Sequence, residues 1–287
     1  MRLTGFHIEP TNRCVLRCSA CERTQFQRQF GDKNWHNQDL DIDALIRFMD
    51  MDVRGCDWEI CGNTGDPIYH PDLGRLVKWI KSQQGRIWLT TNGSYQKESY
   101  WDDVLQDMDS HDVIYFSVDG LPETSPRYRE NSDWPTIDRA MRQAVDRNVQ
   151  AIWKMIPFAF NEHEIGQVRD MAASRGMRFR LDHSDRFGTD DPLRPSTQQL
   201  IRMHGTGDVV PACSDGKRHY ISSGGFYHPC CWSARFGYHH KTSFYKDRDL
   251  YDISKTTLSQ VMAIMQGFDE RMKLDPMPIC SYNCRNT

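Results

Sequence analysis

Gly5-Phe6-His7-Ile8-Glu9 runs directly into Pro10-Thr11-Asn12-Arg13-Cys14-Val15-Leu16-Arg17-Cys18-Ser19-Ala20-Cys21, and this stretch decides how the rest of the chain is read. The first five residues have the apolar character of a short strand. The loop after them carries three cysteines at C-x3-C-x2-C spacing. Cubane iron–sulfur clusters are held by thiolates, normally four of them. Three thiolates in one short loop can hold three irons and leave the fourth open to a second molecule. Structural zinc usually takes pairs of Cys or His at C-x2-4-C spacing. With no partner pair nearby, Cys14, Cys18 and Cys21 fit a site-differentiated cluster better, and zinc stands as the alternative.

The chain has ten cysteines in 287 residues. A disulfide framework suits small secreted domains, whereas this chain is long enough for a large core. There is no positive–apolar–small signal segment after Met1 and no apolar run of transmembrane length, so the cytoplasm is the expected location and no membrane partner is expected. The formal net charge is −3, from 36 basic and 39 acidic residues. Without a basic block or tail, electrostatic capture of nucleic acid is not indicated. The local run Arg175–Arg180 reads as a solvated face or strand flank. No short repeat or low-complexity segment occurs.

Apolar periodicity alternates between strand and helix over the first two-thirds of the chain. Strands are expected at Gly5–Glu9, Trp58–Cys61, Arg86–Thr90, Val113–Val118, Gln150–Ile156 and Met177–Leu181. Helices are expected at Ile42–Met51, Pro71–Gln83, Tyr100–Asp107, Thr136–Arg147 and Glu162–Arg175. Such alternation argues for a parallel sheet with crossover helices. Six units in about 180 residues predict an α/β fold, a partial (β/α)6 TIM-like barrel, where a full eight-unit barrel runs to about 250 residues. Ligand sites in such folds lie at the C-terminal ends of the strands. Polar and Gly-rich segments follow those ends here: Gly62-Asn63-Thr64-Gly65-Asp66-Pro67, Thr90-Thr91-Asn92-Gly93 and Ser117-Val118-Asp119-Gly120. Taken singly, each reads equally well as turn chemistry.

The cysteine spacing and its position after the first strand resemble the radical S-adenosylmethionine (radical SAM) superfamily. The resemblance implies a [4Fe–4S] cluster on Cys14, Cys18 and Cys21, whose open iron chelates SAM and cleaves it to a 5′-deoxyadenosyl radical. Thr64-Gly65-Asp66-Pro67 looks like the family's Gly-Gly-Glu-Pro motif, with Thr for the first Gly and Asp for Glu, which assigns Gly65, Asp66 and Pro67 to the SAM amine. Thr91-Asn92-Gly93 looks like the family's Thr-Asn-Gly. Ser117 and Asp119 match positions that face the SAM ribose, and Lys154 matches one that faces its carboxylate. The residue before the third cysteine is usually aromatic. Here it is Ala20, which leaves Phe26 and Phe30 as candidates to fill that space.

The C-terminal third begins with a linker-like run, 185–205, after a barrel domain at 1–184. Cysteines return in 206–287: Cys213, Cys230, Cys231, Cys280 and Cys284. His219–Ile221 and Phe226–His228 are expected to form a hairpin around Ser222–Gly225, bringing Cys213 and Cys230 together. A helix at Leu258–Phe268 would return the chain to Cys280 and Cys284. This arrangement resembles the SPASM and twitch extensions, and the cysteine count implies one auxiliary [4Fe–4S] cluster on Cys213, Cys230, Cys280 and Cys284. Cys231 competes with Cys230, and a zinc ion on the same thiolates is the alternative. Cys56 and Cys231 otherwise read as small core hydrophobes. Cys61, at the end of the second strand, is a candidate hydrogen-atom donor to a substrate radical.

The resemblance implies a radical oxidoreductase supplied with electrons by an external donor such as flavodoxin or ferredoxin. Its expected substrate is a ribosomally made peptide, which it would cross-link, oxidise or epimerise. The other readings are a small-molecule dehydrogenase of the twitch type and a non-catalytic zinc or iron–sulfur protein.

Overall fold

The computed structural model describes residues 3–184, 187, 191–196, 207–211, 213, 219–235 and 242–285. Six strands alternate with helices in its first part: β1 (Gly5–Ile8), α1 (Glu22–Phe30), α2 (Ile42–Phe48), β2 (Asp57–Ile60), α3 (Leu73–Ser82), β3 (Arg86–Thr91), α4 (Glu98–Leu105), β4 (Val113–Ser117), α5 (Trp134–Asp146), β5 (Gln150–Met155), α6 (Ile165–Ser174) and β6 (Arg178–Leu181). Two further strands follow, β7 (His219–Ile221) and β8 (Tyr227–His228). They form one eight-stranded sheet in the order β6-β5-β4-β3-β2-β1-β7-β8. All neighbours are parallel except β7 and β8, which form the expected antiparallel hairpin. The partial parallel barrel expected from the alternation is thus the class observed, with strand bounds that differ by a residue or so.

Alternation within the strands explains the layering. Phe6, Ile8, Trp58, Ile60, Ile87, Leu89, Ile114 and Phe116 are almost fully buried in the core shared with the helices. Trp58 meets Trp79 of α3 edge-on, with ring centroids 5.3 Å apart. The helices supply matching stripes, Leu73, Leu76, Val77 and Ile80 on α3 and Ile137, Ala140, Met141 and Ala144 on α5, as a 3.6-residue period requires. The intervening strand residues, among them Cys61, Thr90, Ser117 and Lys154 at or just past the strand ends, line a cavity on the other face.

Two elements escape the sequence pattern. Helix α1 has only Phe26 and Phe30 as apolar residues and buries Arg23 and Thr24 instead, so it offers no hydrophobic stripe to read. Pro278–Asn283 forms a six-residue helix, too short for periodicity to register. The helix expected at Leu258–Phe268 divides into Leu258–Ile264 and Phe268–Leu274. Gly267 sits between them in the left-handed region, φ 69°, which glycine adopts without penalty. Most of the expected linker lies outside the described residues. The part within them rests on the barrel, where Ala159 N–H donates to Leu193 O at 3.0 Å and Ser196 Oγ donates to Glu162 at 2.8 Å. Among the described residues, no helix is long and apolar enough to cross a membrane.

Candidate functional site

The loop after β1 is braced before its cysteines begin. Thr11 Oγ1 donates to Asp39 at 2.6 Å, and Asn12 accepts from Gln38 N–H at 2.7 Å. Cys21 then caps the N-terminus of α1, and its carbonyl accepts the Gln25 N–H at 2.9 Å. Buried Arg23 ties three segments together: Nε donates to Thr64 O at 3.1 Å, Nη1 to Gln27 at 3.2 Å, and Nη2 to Leu16 O.

Cys14, Cys18 and Cys21 line a cavity of about 360 Å³ at the C-terminal ends of β1–β6, a size in the ~300–1,000 Å³ range of small-ligand sites. Its other walls include Cys61, Gly65, Asp66, Asn92, Ser117 and Lys154. The fold therefore gathers these residues, singled out from the sequence, around one space. Burial, and then the Asp66 charge, pushes the Cys14 thiol up to about 12, with Arg23 pulling the other way. Burial also raises Cys18, opposed by Arg129. Thiolates here need added positive charge, and bound iron supplies it. None of the three is in a disulfide. The donor set therefore fits an iron–sulfur cluster.

Asp66 is not left free for a ligand. Its carboxylate accepts from Thr91 Oγ1 at 2.8 Å, Asn92 N–H at 2.6 Å, Ile68 N–H at 3.3 Å and the Asn92 side-chain amide. It lashes the β2 loop to the end of β3, while Asn92 Nδ2 also reaches Cys14 Sγ at 3.5 Å. Pro67 begins a 3-10 turn with Asp66 as its cap and stands back from the cavity wall. Asp119 also stands behind the wall: it accepts from Ile156 N–H at 2.7 Å and pairs with Arg129 at 2.8 Å. Arg129, which no sequence motif marks, is the member of that pair that lines the cavity. Lys154 faces Asp182 at 3.5 Å.

Gly65 is required by close approach. A Cβ there would lie 1.9 Å from Thr11 O and 2.6 Å from Asn12 Cα. Both contacts are backbone, so relief means moving the cysteine loop. Gly65→Ala is expected to lower stability by about 1–3 kcal/mol, read as a fall in Tm, and to weaken cluster retention.

Neither Phe26 nor Phe30 fills the space expected from Ala20. Phe26 packs on Phe30 and Trp35 (4.8 and 5.5 Å between centroids), and Phe30 is 50% exposed. The ring on the cavity wall is Tyr128, held against Phe158 at 4.4 Å. Sequence offers no signal for it, because Tyr128 sits in an irregular connection. Cys61 Sγ belongs to a second constellation with His7 and Glu59, whose ligating atoms lie within 4.8 Å of one another. Burial, then the Glu59 charge, pushes the Cys61 thiol up to about 12.

The C-terminal cysteines assemble as a separate group. Burial pushes Cys213 up to about 12, and the next contributions are the like charges of Cys230, Cys280 and Cys284. Cys280 is pushed up to about 12 by burial, then by Cys230 and Cys284. Backbone pairing of Val209 with Arg285, and Val210 N–H donating to Cys284 O at 2.7 Å, holds the two ends of this group together. The Cys231 carbonyl accepts from Asn63 Nδ2 at 3.0 Å.

A family model described as the Radical SAM superfamily matches residues 8–172. The tungsten-containing aldehyde ferredoxin oxidoreductase cofactor-modifying protein of Pyrococcus furiosus is 27% identical over 120 residues, 40% of this chain and 31% of that protein. The chain thus spans about a third of the curated relative it matches. Among solved structures, anSMEcpe with bound AdoMet and Kp18Cys peptide superposes with a TM-score of 0.61 at 12% identity, covering 91% of this chain and 80% of that one. BtrN in complex with AdoMet and 2-DOIA superposes at 0.50 and 12% identity, covering 100% and 94%.

Proposed function

The chain belongs to the radical SAM superfamily, and from that premise we propose that it is an enzyme which reductively cleaves SAM and abstracts hydrogen from a peptide. The observation that carries the reading is the convergence of Cys14, Cys18 and Cys21 on one cavity with the 62–66 loop. When bound, the [4Fe–4S] cluster and SAM supply a 5′-deoxyadenosyl radical, chemistry that side chains cannot provide. Cys14, Cys18 and Cys21 would hold the cluster, with Arg129 and Arg23 beside two of the thiolates.

The rest of the site binds and orients. Thr64 N–H and Gly65 N–H are spent on Glu9 (2.9 and 3.4 Å) and Asp66 N–H on Arg13 O (2.8 Å). Those three amides are therefore committed, while a carbonyl oxygen keeps a second lone pair even where, as at Thr64, it already accepts from Arg23, which suits the SAM ammonium group. Asn92, Ser117 and Lys154 supply polar groups for the rest of SAM. Asp66, Pro67 and Asp119 act through the backbone and through Arg129. Cys61 keeps its proton at neutral pH and lines the same cavity, so it can return a hydrogen atom to a substrate radical.

Cys213, Cys230, Cys280 and Cys284 would hold one auxiliary [4Fe–4S] cluster of the twitch or SPASM kind, with Cys231 outside it. This group gives an electron from the substrate somewhere to go, and an external donor such as flavodoxin or ferredoxin charges the first site. All ten cysteines are free, which suits the reducing cytoplasm. The peptide assignment draws on anSMEcpe, whose structure holds a peptide. One observation favours a second reading, a small-molecule dehydrogenase: BtrN, whose structure holds 2-DOIA rather than a peptide, is matched over 94% of its length.

Anaerobic reconstitution tests the proposal. About eight irons per chain and release of 5′-deoxyadenosine after reduction are expected. Stoichiometric zinc in place of C-terminal iron would sink the auxiliary cluster. With a peptide library as substrate, solvent deuterium in the product that disappears in Cys61→Ala would support the hydrogen-donor role, and deuterium that persists would end it.

A further inference from the structure

Glu9 is 4% exposed, belongs to no sequence motif of the site, and spends its carboxylate entirely on the neighbourhood of the SAM loop. Oε1 accepts from Thr64 N–H (2.9 Å), Thr64 Oγ1 (3.2 Å) and Gly65 N–H (3.4 Å). Oε2 accepts from Tyr220 O–H at 2.6 Å. Tyr220 is fully buried on β7, in register with His7 of β1, and its ring meets the His7 ring edge-on at 4.8 Å. A buried carboxylate is costly unless its oxygens are satisfied. Here four donors satisfy it, with neutral groups in place of a countercharge.

We propose that Glu9 and Tyr220 are positioning residues for SAM: Glu9 fixes the Thr64–Gly65 backbone and directs a buried negative charge at the cavity, and Tyr220 holds Glu9 in place from the C-terminal strand pair. The inference rests on the radical SAM reading of this cavity. Two physical effects act together. By taking both N–H groups, Glu9 turns the loop into an acceptor surface, and hydrogen bonds of that kind strengthen the carbonyls they are linked to. Its carboxylate also lies directly behind Thr64 and Gly65 of the cavity wall, to which it is hydrogen-bonded. Both effects favour the cationic ammonium and sulfonium of SAM over neutral analogues.

The same contacts tie the SAM loop to the C-terminal cysteine segment. Tyr220 precedes the β7–β8 turn that leads to Cys230. Asn63, one residue before Thr64, donates to Cys231 O. Arg235 Nε donates to Glu22 at 2.6 Å, next to Cys21. Tyr220 thus joins Asn63 and Arg235 in bracing the two cysteine groups together, and it reaches the SAM loop through a buried charge.

The test measures SAM affinity on the reconstituted full chain, by titrating SAM into the reduced protein and following the change in the cluster EPR signal. Glu9→Gln keeps shape and removes charge. Tyr220→Phe keeps the ring and removes the hydroxyl. Each is expected to raise the SAM Kd about tenfold, the size typical of a buried hydrogen bond to a charged group, with iron and sulfide counts and the EPR spectrum without SAM unchanged. Wild-type Kd in both variants overturns the proposal, and wild-type Kd in Tyr220→Phe alone removes Tyr220 from it. Failure of the unmodified protein to bind SAM would instead refute the parent reading, and would be seen before any variant is made.

Discussion

Replacing Cys14, Cys18 and Cys21 together by serine is expected to abolish SAM cleavage while leaving the C-terminal cysteines loaded. Iron should fall from about eight to about four per chain, and 5′-deoxyadenosine should vanish. The expectation follows from spatial separation. The first three thiols line the cavity at the barrel mouth, whereas the thiols that act electrostatically on Cys213 and Cys280 come from the C-terminal group itself. Losing one set removes no ligand from the other. Serine is nearly isosteric, so folding is expected to survive: Cys14, Cys18 and Cys21 are only partly buried, and the loop is held by Thr11, Asn12 and Arg23. Loss of all iron in the variant would show that the two sites form one folding unit. Retained SAM cleavage would remove these cysteines from the chemistry.

The second large effect is on stability. Arg129→Met would leave Asp119 buried at 0% exposure without its ion pair. Breaking a buried pair from one side costs about 3–5 kcal/mol, because the remaining charge has no partner. Arg129 is held charged against burial by Asp119 and then by Cys18, so the substitution also removes a cation from beside a thiolate. Asp119→Asn added to Arg129→Met should recover most of the loss, since Asn keeps the Oδ1 acceptor for Ile156 N–H and carries no charge. Anaerobic urea denaturation of the wild type and the two variants measures this. Equal stability of the single and double variants would mean that the pair contributes nothing beyond its separate contacts.

How far the site is legible from the sequence depends on the kind of contact. Cys14, Cys18, Cys21, Gly65 and Asn92 stand in short runs at strand ends, and the alternation of strands and helices places those ends on one rim. Arg129 and Tyr128 sit in no recognisable run, and Glu9 and Tyr220 lie in expected strands without belonging to any motif. Arg129 and Tyr128 come from the irregular connection before α5, and Glu9 and Tyr220 meet across 211 positions. Motif position brings Asp66 and Asp119 to the right neighbourhood and predicts contacts with SAM for both. Their carboxylates turn instead to Asn92 and Arg129, because a buried charge is taken up by the nearest donors.

The sequence by itself determined the parallel α/β architecture, the strand-end location of the site and the division of cysteines into an N-terminal three and a C-terminal group. Those features depend on apolar period, chain order and covalent spacing, which are local properties. Only the tertiary structure decided that the late hairpin joins the sheet beside β1, that the charges nearest Cys213 include Cys230, Cys280 and Cys284, and that Glu9 is occupied by the loop it supports. Each of these depends on which residues, distant in the chain, share a buried space, where unpaired charges and hydrogen-bonding groups must find partners.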